Sequence, residues 1–229
     1  MAQSALSEKT LSLLGEKTKG KILKASLRLF NQYGFDRVTT AQIANASDVL
    51  EGTLWYHFKA KHDLIFAHLD ALEARIDMHL AVEVSQSPME VIRYIYGIFD
   101  FLWDFRYLQR DPIEYLRHDP VGIERAKSTI RLLEQRTKAR LSGAEEAGIL
   151  DLTGADLDRM VMTTIMTGRY WLDYAMTRDG GVIDLPKMKA EGLALILEIQ
   201  KPYFNGDFRA IVSDPKIVEM IQQFLEAPS

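Results

Sequence analysis

Apolar residues return at intervals of three and four along most of this chain, and strict alternation is rare. Ile22, Leu23, Leu27, Phe30 and Tyr33 share one helical face and predict a first strong helix over 17–33, with Gly34 where a left-handed C-terminal cap would sit. Thr39-Thr40-Ala41-Gln42 reads as a capping box, in which Gln42 reaches back to the Thr39 amide. It predicts a short helix to about Ala46, a tight turn at Ser47-Asp48-Val49, a second short helix over 50–58 and a long helix from Lys61 into the low eighties. The stretch before them, 1–16, is polar with scattered leucines and is expected to be a flexible arm.

Farther along, Asp111-Pro112, Asp119-Pro120 and Asp214-Pro215 predict helix starts, because Asp caps a first turn and Pro at its first position gives up no intrahelical bond. Thr153 is expected to cap a helix over 154–178 that Gly180-Gly181 ends, and Pro186 to open one that stops near Lys201-Pro202. One stretch carries two periods. Phe99, Phe101, Trp103, Phe105 and Tyr107 alternate as in a strand, whereas Arg93, Gly97, Asp100, Asp104 and Asp111 form a polar stripe at helical steps. A lone strand would leave its backbone groups without partners, so helix is the reading adopted. The prediction is an all-α chain with a helix-turn-helix head over 17–63 and a larger helical domain over 64–229.

Composition changes this picture in three ways. With 47% of 229 residues apolar, the chain can build a real core. It has no cysteine, which excludes disulfides and thiolate metal sites and fits a reducing compartment. No signal-peptide pattern follows Met1 and no apolar run is long enough for a membrane span, so a soluble cytoplasmic protein is expected. The net charge of −4 is unevenly spread: residues 1–64 hold nine Lys/Arg and six Asp/Glu, a net +3, which leaves −7 for the rest. For a nucleic-acid binder the local field is what counts.

Two short helices joined by a tight turn and braced by longer ones place the second short helix in a DNA major groove, where base edges can be distinguished. In Leu54-Trp55-Tyr56-His57-Phe58, Leu54 and Phe58 stand at i and i+4 and turn inward. Trp55, Tyr56 and His57 are left to offer flat surfaces and polar tips to phosphates and bases. Lys59 and Lys61 follow at the start of the next helix, and Lys17, Lys21, Lys24 and Arg28 form a basic stripe on the first.

These residues carry a resemblance. Ile22-Leu23-Lys24-Ala25, Leu29-Phe30, Gly34, Thr39-Thr40, Ile43-Ala44 and the run from Gly52 to Lys61 make residues 19–66 similar to the DNA-binding domain of the TetR family of bacterial regulators. The resemblance implies a dimeric repressor of a palindromic DNA operator, with a variable C-terminal domain that binds a small molecule. It places Thr39, Thr40, Thr53, Trp55, Tyr56, His57 and Lys61 at or near DNA, with Gly52 allowing close backbone approach. It also implies a four-helix interface between subunits, built here from about 154–178 and 186–201. Four positions depart from the family pattern. Asp48 stands where the turn has Gly, Leu50 where a hydroxyl caps the recognition helix, and Ala60 where Ser caps the next. Glu51 stands where a basic or polar residue is frequent; its carboxylate would oppose phosphates unless it accepts a hydrogen bond from a cytosine amino group.

The aromatic cluster from Tyr94 to Tyr107 reads either as core or as the wall of an effector pocket, and both can hold. The candidate lining is Phe99, Trp103, Arg106, Tyr107, Tyr115, His118, Met166 and Tyr170, which favours a largely apolar effector. No cofactor and no metal are expected. Glu114 and His118 stand at i, i+4 rather than in the Glu-x-x-His spacing of di-iron bundles, and His62 and His68 lie six apart on different faces. There is no phosphate loop and no Gly-x-Ser-x-Gly elbow, so catalysis is not expected. The alternative to a regulator is a helical small-molecule or partner-binding protein with weakened DNA binding.

Overall fold

The computed structural model describes residues 5–81, 83–85, 87–110 and 120–213. Tyr115 and His118, with the predicted starts at Asp111-Pro112 and Asp214-Pro215, lie outside the described residues. Eleven α-helices are described: α1 Glu8–Leu14, α2 Thr18–Tyr33, α3 Thr40–Ala46, α4 Glu51–His57, α5 Lys61–Leu80, α6 Pro88–Asp104, α7 Arg106–Arg110, α8 Pro120–Glu146, α9 Leu157–Arg178, α10 Leu185–Gln200 and α11 Gly206–Ser213. Among the described residues the β structure is a single bridge, Leu150 to Phe204. None of these helices is long and apolar enough to cross a membrane. The backbone falls into two compact units, 1–76 with 100–132 and 77–99 with 133–229.

In the first unit, the expectation of a frayed arm is corrected. Ser7 caps α1 by accepting from the Thr10 amide, and Leu6, Thr10 and Leu14 are buried at steps of four. Gly20 makes the close approach possible: a Cβ there would stand 2.3 Å from the Leu14 carbonyl oxygen. Lys24 leaves the predicted basic stripe, because it is buried and paired with Glu16. Gly34 ends α2 with a positive φ as predicted, but its ψ of 156° is extended rather than left-handed helical.

The helix reading of 88–110 holds, with a break at Phe105 between α6 and α7. Asn31 of α2 braces that break: its amide donates to the Asp104 carbonyl at 2.6 Å and accepts from the Tyr107 N–H at 3.1 Å. Asp104, read from the sequence as part of a polar stripe, is 1% exposed and accepts from the Ser7 amide at 3.0 Å and from the Ser7 hydroxyl. Burial pushes its carboxyl up, against the lowering effect of the hydrogen bonds from Ser7 and Thr10.

His68 of α5 is sealed in this core. Nε2 lies 3.1 Å from the Leu23 carbonyl oxygen, so it carries the proton, and Nδ1 accepts from the Tyr107 hydroxyl at 2.7 Å. Burial holds its pKa down at about 4. A histidine whose folded pKa lies below its unfolded value of about 6.5 stabilises the fold above that value and loses the contribution as pH falls. Stability is therefore expected to drop by about 3 kcal/mol between pH 6.5 and 4, the two values compared, at 1.36 kcal/mol per unit. Denaturant titrations across that window check it. The same slope in His68→Gln would assign the acid sensitivity elsewhere.

In the second unit, α9 and α10 return on each other through a six-residue loop. The sequence predicts Thr153 as the cap of α9 and Gly154 as its first residue. The helix instead begins at Leu157, capped by Asp156, because Gly154 has a φ of 74° and Thr153 closes a turn on Asp151. Asp179, Gly180 and Gly181 end it, and Pro186 opens α10 as the sequence indicated, with Asp184 as a cap that the sequence reading did not name. Gly192 lets α10 settle onto aromatic rings: a Cβ there would lie 2.5 Å from Phe99 and 2.6 Å from Trp171.

Candidate nucleic-acid interface

Both walls of the turn between α3 and α4 are built as the local sequence dictates. Thr39 Oγ1 accepts from the Gln42 amide at 3.2 Å while Gln42 Oε1 accepts from the Thr39 amide at 2.8 Å, the complete capping box. Ser47 hydrogen-bonds back to the Ile43 carbonyl at 2.7 Å, and Asp48 takes a φ of 55°, the left-handed conformation that Asp tolerates in place of Gly. Ile43, Leu54 and Phe58 seat the pair on the core, each no more than 3% exposed.

The outward face of α4 then follows from the helical period. Tyr56 is 75% exposed and Trp55 39%, while Thr53 and His57 are half-buried. The Tyr56 and His57 rings meet edge to face at 5.2 Å. Leu50 gives no side-chain cap, so the first amides of α4 keep their donors, and nothing stands within 4 Å of a Cβ built on Gly52. Lys59 closes the other end, donating to the Trp55 and Tyr56 carbonyls at 3.3 Å each, where a cation complements the helix dipole. Ala60 lacks the usual hydroxyl, and only the reciprocal half of a capping box is present here, Asp63 accepting from the Ala60 amide at 2.9 Å.

Two side chains have tertiary partners that the sequence did not show. Thr40 donates its hydroxyl to Glu51 Oε1 at 2.6 Å, joining the first turns of α3 and α4. Lys61 donates to the Phe35 carbonyl, and its ammonium sits 4.1 Å over the Phe35 ring. Burial holds its pKa below the usual lysine value, with Asp36 opposing. Its first role is to fasten the loop after α2 to the start of α5.

The effector candidates are more dispersed. Trp103 is buried beneath the Arg106 guanidinium, 4.0 Å from its ring, and Tyr107 is held by His68. Phe99 is fully buried against α10 in the other unit. Met166 and Tyr170 stand on an open face of α9, about half exposed. A surface groove of about 580 Å³ lies elsewhere, lined by Glu134, Lys138, Asp158, Arg159 and Met162 among others. Among the described residues no group of three or more His, Asp or Glu could hold a metal ion.

Known proteins place this arrangement. The family model "Bacterial regulatory proteins, tetR family" matches residues 22–68, and "Bacterial transcriptional repressor" matches residues 70–212. The chain is 38% identical over 76 residues, 33% of its length, to the transcriptional regulator TtgR of Pseudomonas putida. It is 31% identical over 114 residues, 49% of its length, to the repressor KstR of Rhodococcus jostii. The matched stretches span 35% and 51% of those relatives. Among solved structures, a TetR-family regulator from Marinobacter aquaeolei superposes with a TM-score of 0.75 at 24% identity, covering 93% of this chain and all of that one. CprB of Streptomyces coelicolor in complex with its operator superposes with a TM-score of 0.63 at 20% identity, over 91% of this chain and 96% of its own. Taken with the exposed aromatic face of α4, these matches show that the chain belongs to the TetR family of bacterial transcriptional regulators.

Proposed function

We propose that this regulator is a cytoplasmic repressor that grips a palindromic double-stranded operator as a homodimer and releases it when a small, largely apolar effector binds. The observation that carries the DNA reading is the polarity of α4: Leu54 is fully buried while Tyr56, two residues on, is 75% exposed on the opposite face of the same short helix. An element of that width, with open first-turn amides and a glycine where the backbone must approach, suits a major groove. The contact set is Thr39, Thr40, Glu51, Gly52, Thr53, Trp55, Tyr56 and His57. Lys61 adds its charge from the base of α5.

The dimer reading rests on α9. Met162, Met166, Tyr170 and Tyr174 recur every four residues and are 53, 52, 49 and 61% exposed, with Leu195 of α10 at 40%. A stripe of large apolar side chains along two long helices suits a second copy of itself, the two-fold arrangement that a palindromic site requires. The recognition helices would then meet half-sites about 34–36 Å apart or slightly more. Phe99, Trp103, Arg106 and Tyr107 are the effector-facing candidates; Met166 and Tyr170 support the subunit interface better than a pocket. Whatever the effector is, it must prefer one separation of the heads, since equal affinity for both states would shift nothing.

Selection from random duplex DNA is expected to return an imperfect palindrome, and bound sequences without two-fold symmetry would contradict the dimer. Tyr56→Ala is expected to weaken binding about tenfold or more, the worth of one hydrogen bond to a charged phosphate, without moving the unfolding midpoint. Unchanged affinity would remove Tyr56 from the interface.

A further inference from the structure

From the Thr40–Glu51 pair we infer that Glu51 is a base-reading residue that selects cytosine at one position of each half-site, with Thr40 as its positioning residue. The inference rests on the DNA-binding reading above and adds the base and the atoms. Glu51 is the first residue of α4 and is exposed, and the next position, Gly52, is open. A free carboxylate there would swing among rotamers and repel phosphates. This one is held: the Thr40 hydroxyl donates to Oε1 at 2.6 Å, across eleven residues of sequence. The contact spreads part of the negative charge onto a neutral donor and ties the side chain to the first turn of α3. Among the described residues, Oε2 has no hydrogen-bond partner.

What remains is a single oriented acceptor at the entrance of the recognition helix. An ionised carboxylate only accepts hydrogen bonds. In the major groove, guanine offers N7 and O6 and thymine O4, all acceptors, and adenine sets its amino group beside the acceptor N7. Cytosine presents the N4 amino group without a neighbouring acceptor of its own on that edge, so it is the base a carboxylate fits best. The same chemistry predicts the outcome of a one-atom change. A glutamine amide both donates and accepts, which matches the N7 and N6 edge of adenine.

The test is parallel selection from random duplex DNA with the full-length wild-type protein, Glu51→Gln and Thr40→Val, followed by binding to the wild-type operator with each base at the selected position. The wild type is expected to enrich cytosine symmetrically, with a loss of about fivefold or more for each other base. Glu51→Gln is expected to move that position to adenine and leave the rest of the palindrome intact. Thr40→Val is expected to flatten the cytosine preference, read as the ratio of affinities across the four bases so that any loss of overall affinity does not enter. A palindrome that is identical for wild type and Glu51→Gln overturns the inference and leaves the DNA-binding reading standing. A wild-type selection with no palindrome overturns both. Should Glu51→Gln fail to fold, the wild-type affinities for the four bases still decide, and equal values count against cytosine reading.

Discussion

Lysine at both Met166 and Tyr174 is expected to turn the proposed dimer into monomers and to lower operator affinity by two to four orders of magnitude. Both side chains are more than half exposed on α9, so the fold of one copy loses almost nothing when they change. In a two-fold interface the substitutions put four ammonium groups, two from each copy, into a surface that is otherwise apolar, where they are desolvated and repel one another. The loss of affinity follows from chelation. A dimer presents its second recognition helix at an effective concentration that raises avidity by about 10²–10⁴ over a single head, and a monomer forfeits it. Sedimentation and operator titration of the same variant check the two halves of the claim. A variant that remains dimeric places the subunit contact elsewhere.

The second large effect is expected in the head. Phe30 is 1% exposed and its ring meets Phe35 at 5.2 Å, Tyr107 at 5.3 Å and His68 at 5.9 Å. It joins the end of α2 to α5 and α7, the same contacts that hold the platform under α3 and α4. Phe30→Ala is expected to cost about 3–5 kcal/mol, since the surrounding rings close only partly over the cavity. Against a typical domain stability of about 5–15 kcal/mol, that is enough to depress DNA binding through unfolding of the head. Denaturant titration of the variant measures it, and a loss below about 1 kcal/mol would mean that the ring is not a central member of this core.

Legibility in the sequence tracked the range of the interaction. The Thr39–Gln42 capping box, the left-handed Asp48 turn and the inward Leu54 and Phe58 are set by residues within a few positions, and all appear as read. The partners of Lys24, Thr40, Lys61 and Asp104 lie between eight and ninety-seven residues away, and no local pattern shows that Glu16, Glu51, Phe35 or Ser7 will be waiting. Helix α1 is a different case. Leu6, Thr10 and Leu14 at steps of four with Ser7 as cap were a sufficient signal, obscured by the polar residues among them. Phe99 and Trp103 share one helix and are both buried, and an aromatic run has the same spacing whether its rings fill a core or wall a pocket.

The account turns on α4 entering the major groove with Tyr56 and Trp55 leading. Methylation interference on the selected operator reads that groove directly, because the probe marks guanine N7 on its floor. Two patches of interference, related by a dyad and centred about one helical turn apart or slightly more, are the predicted result. Binding that is indifferent to N7 methylation throughout the site would contradict it.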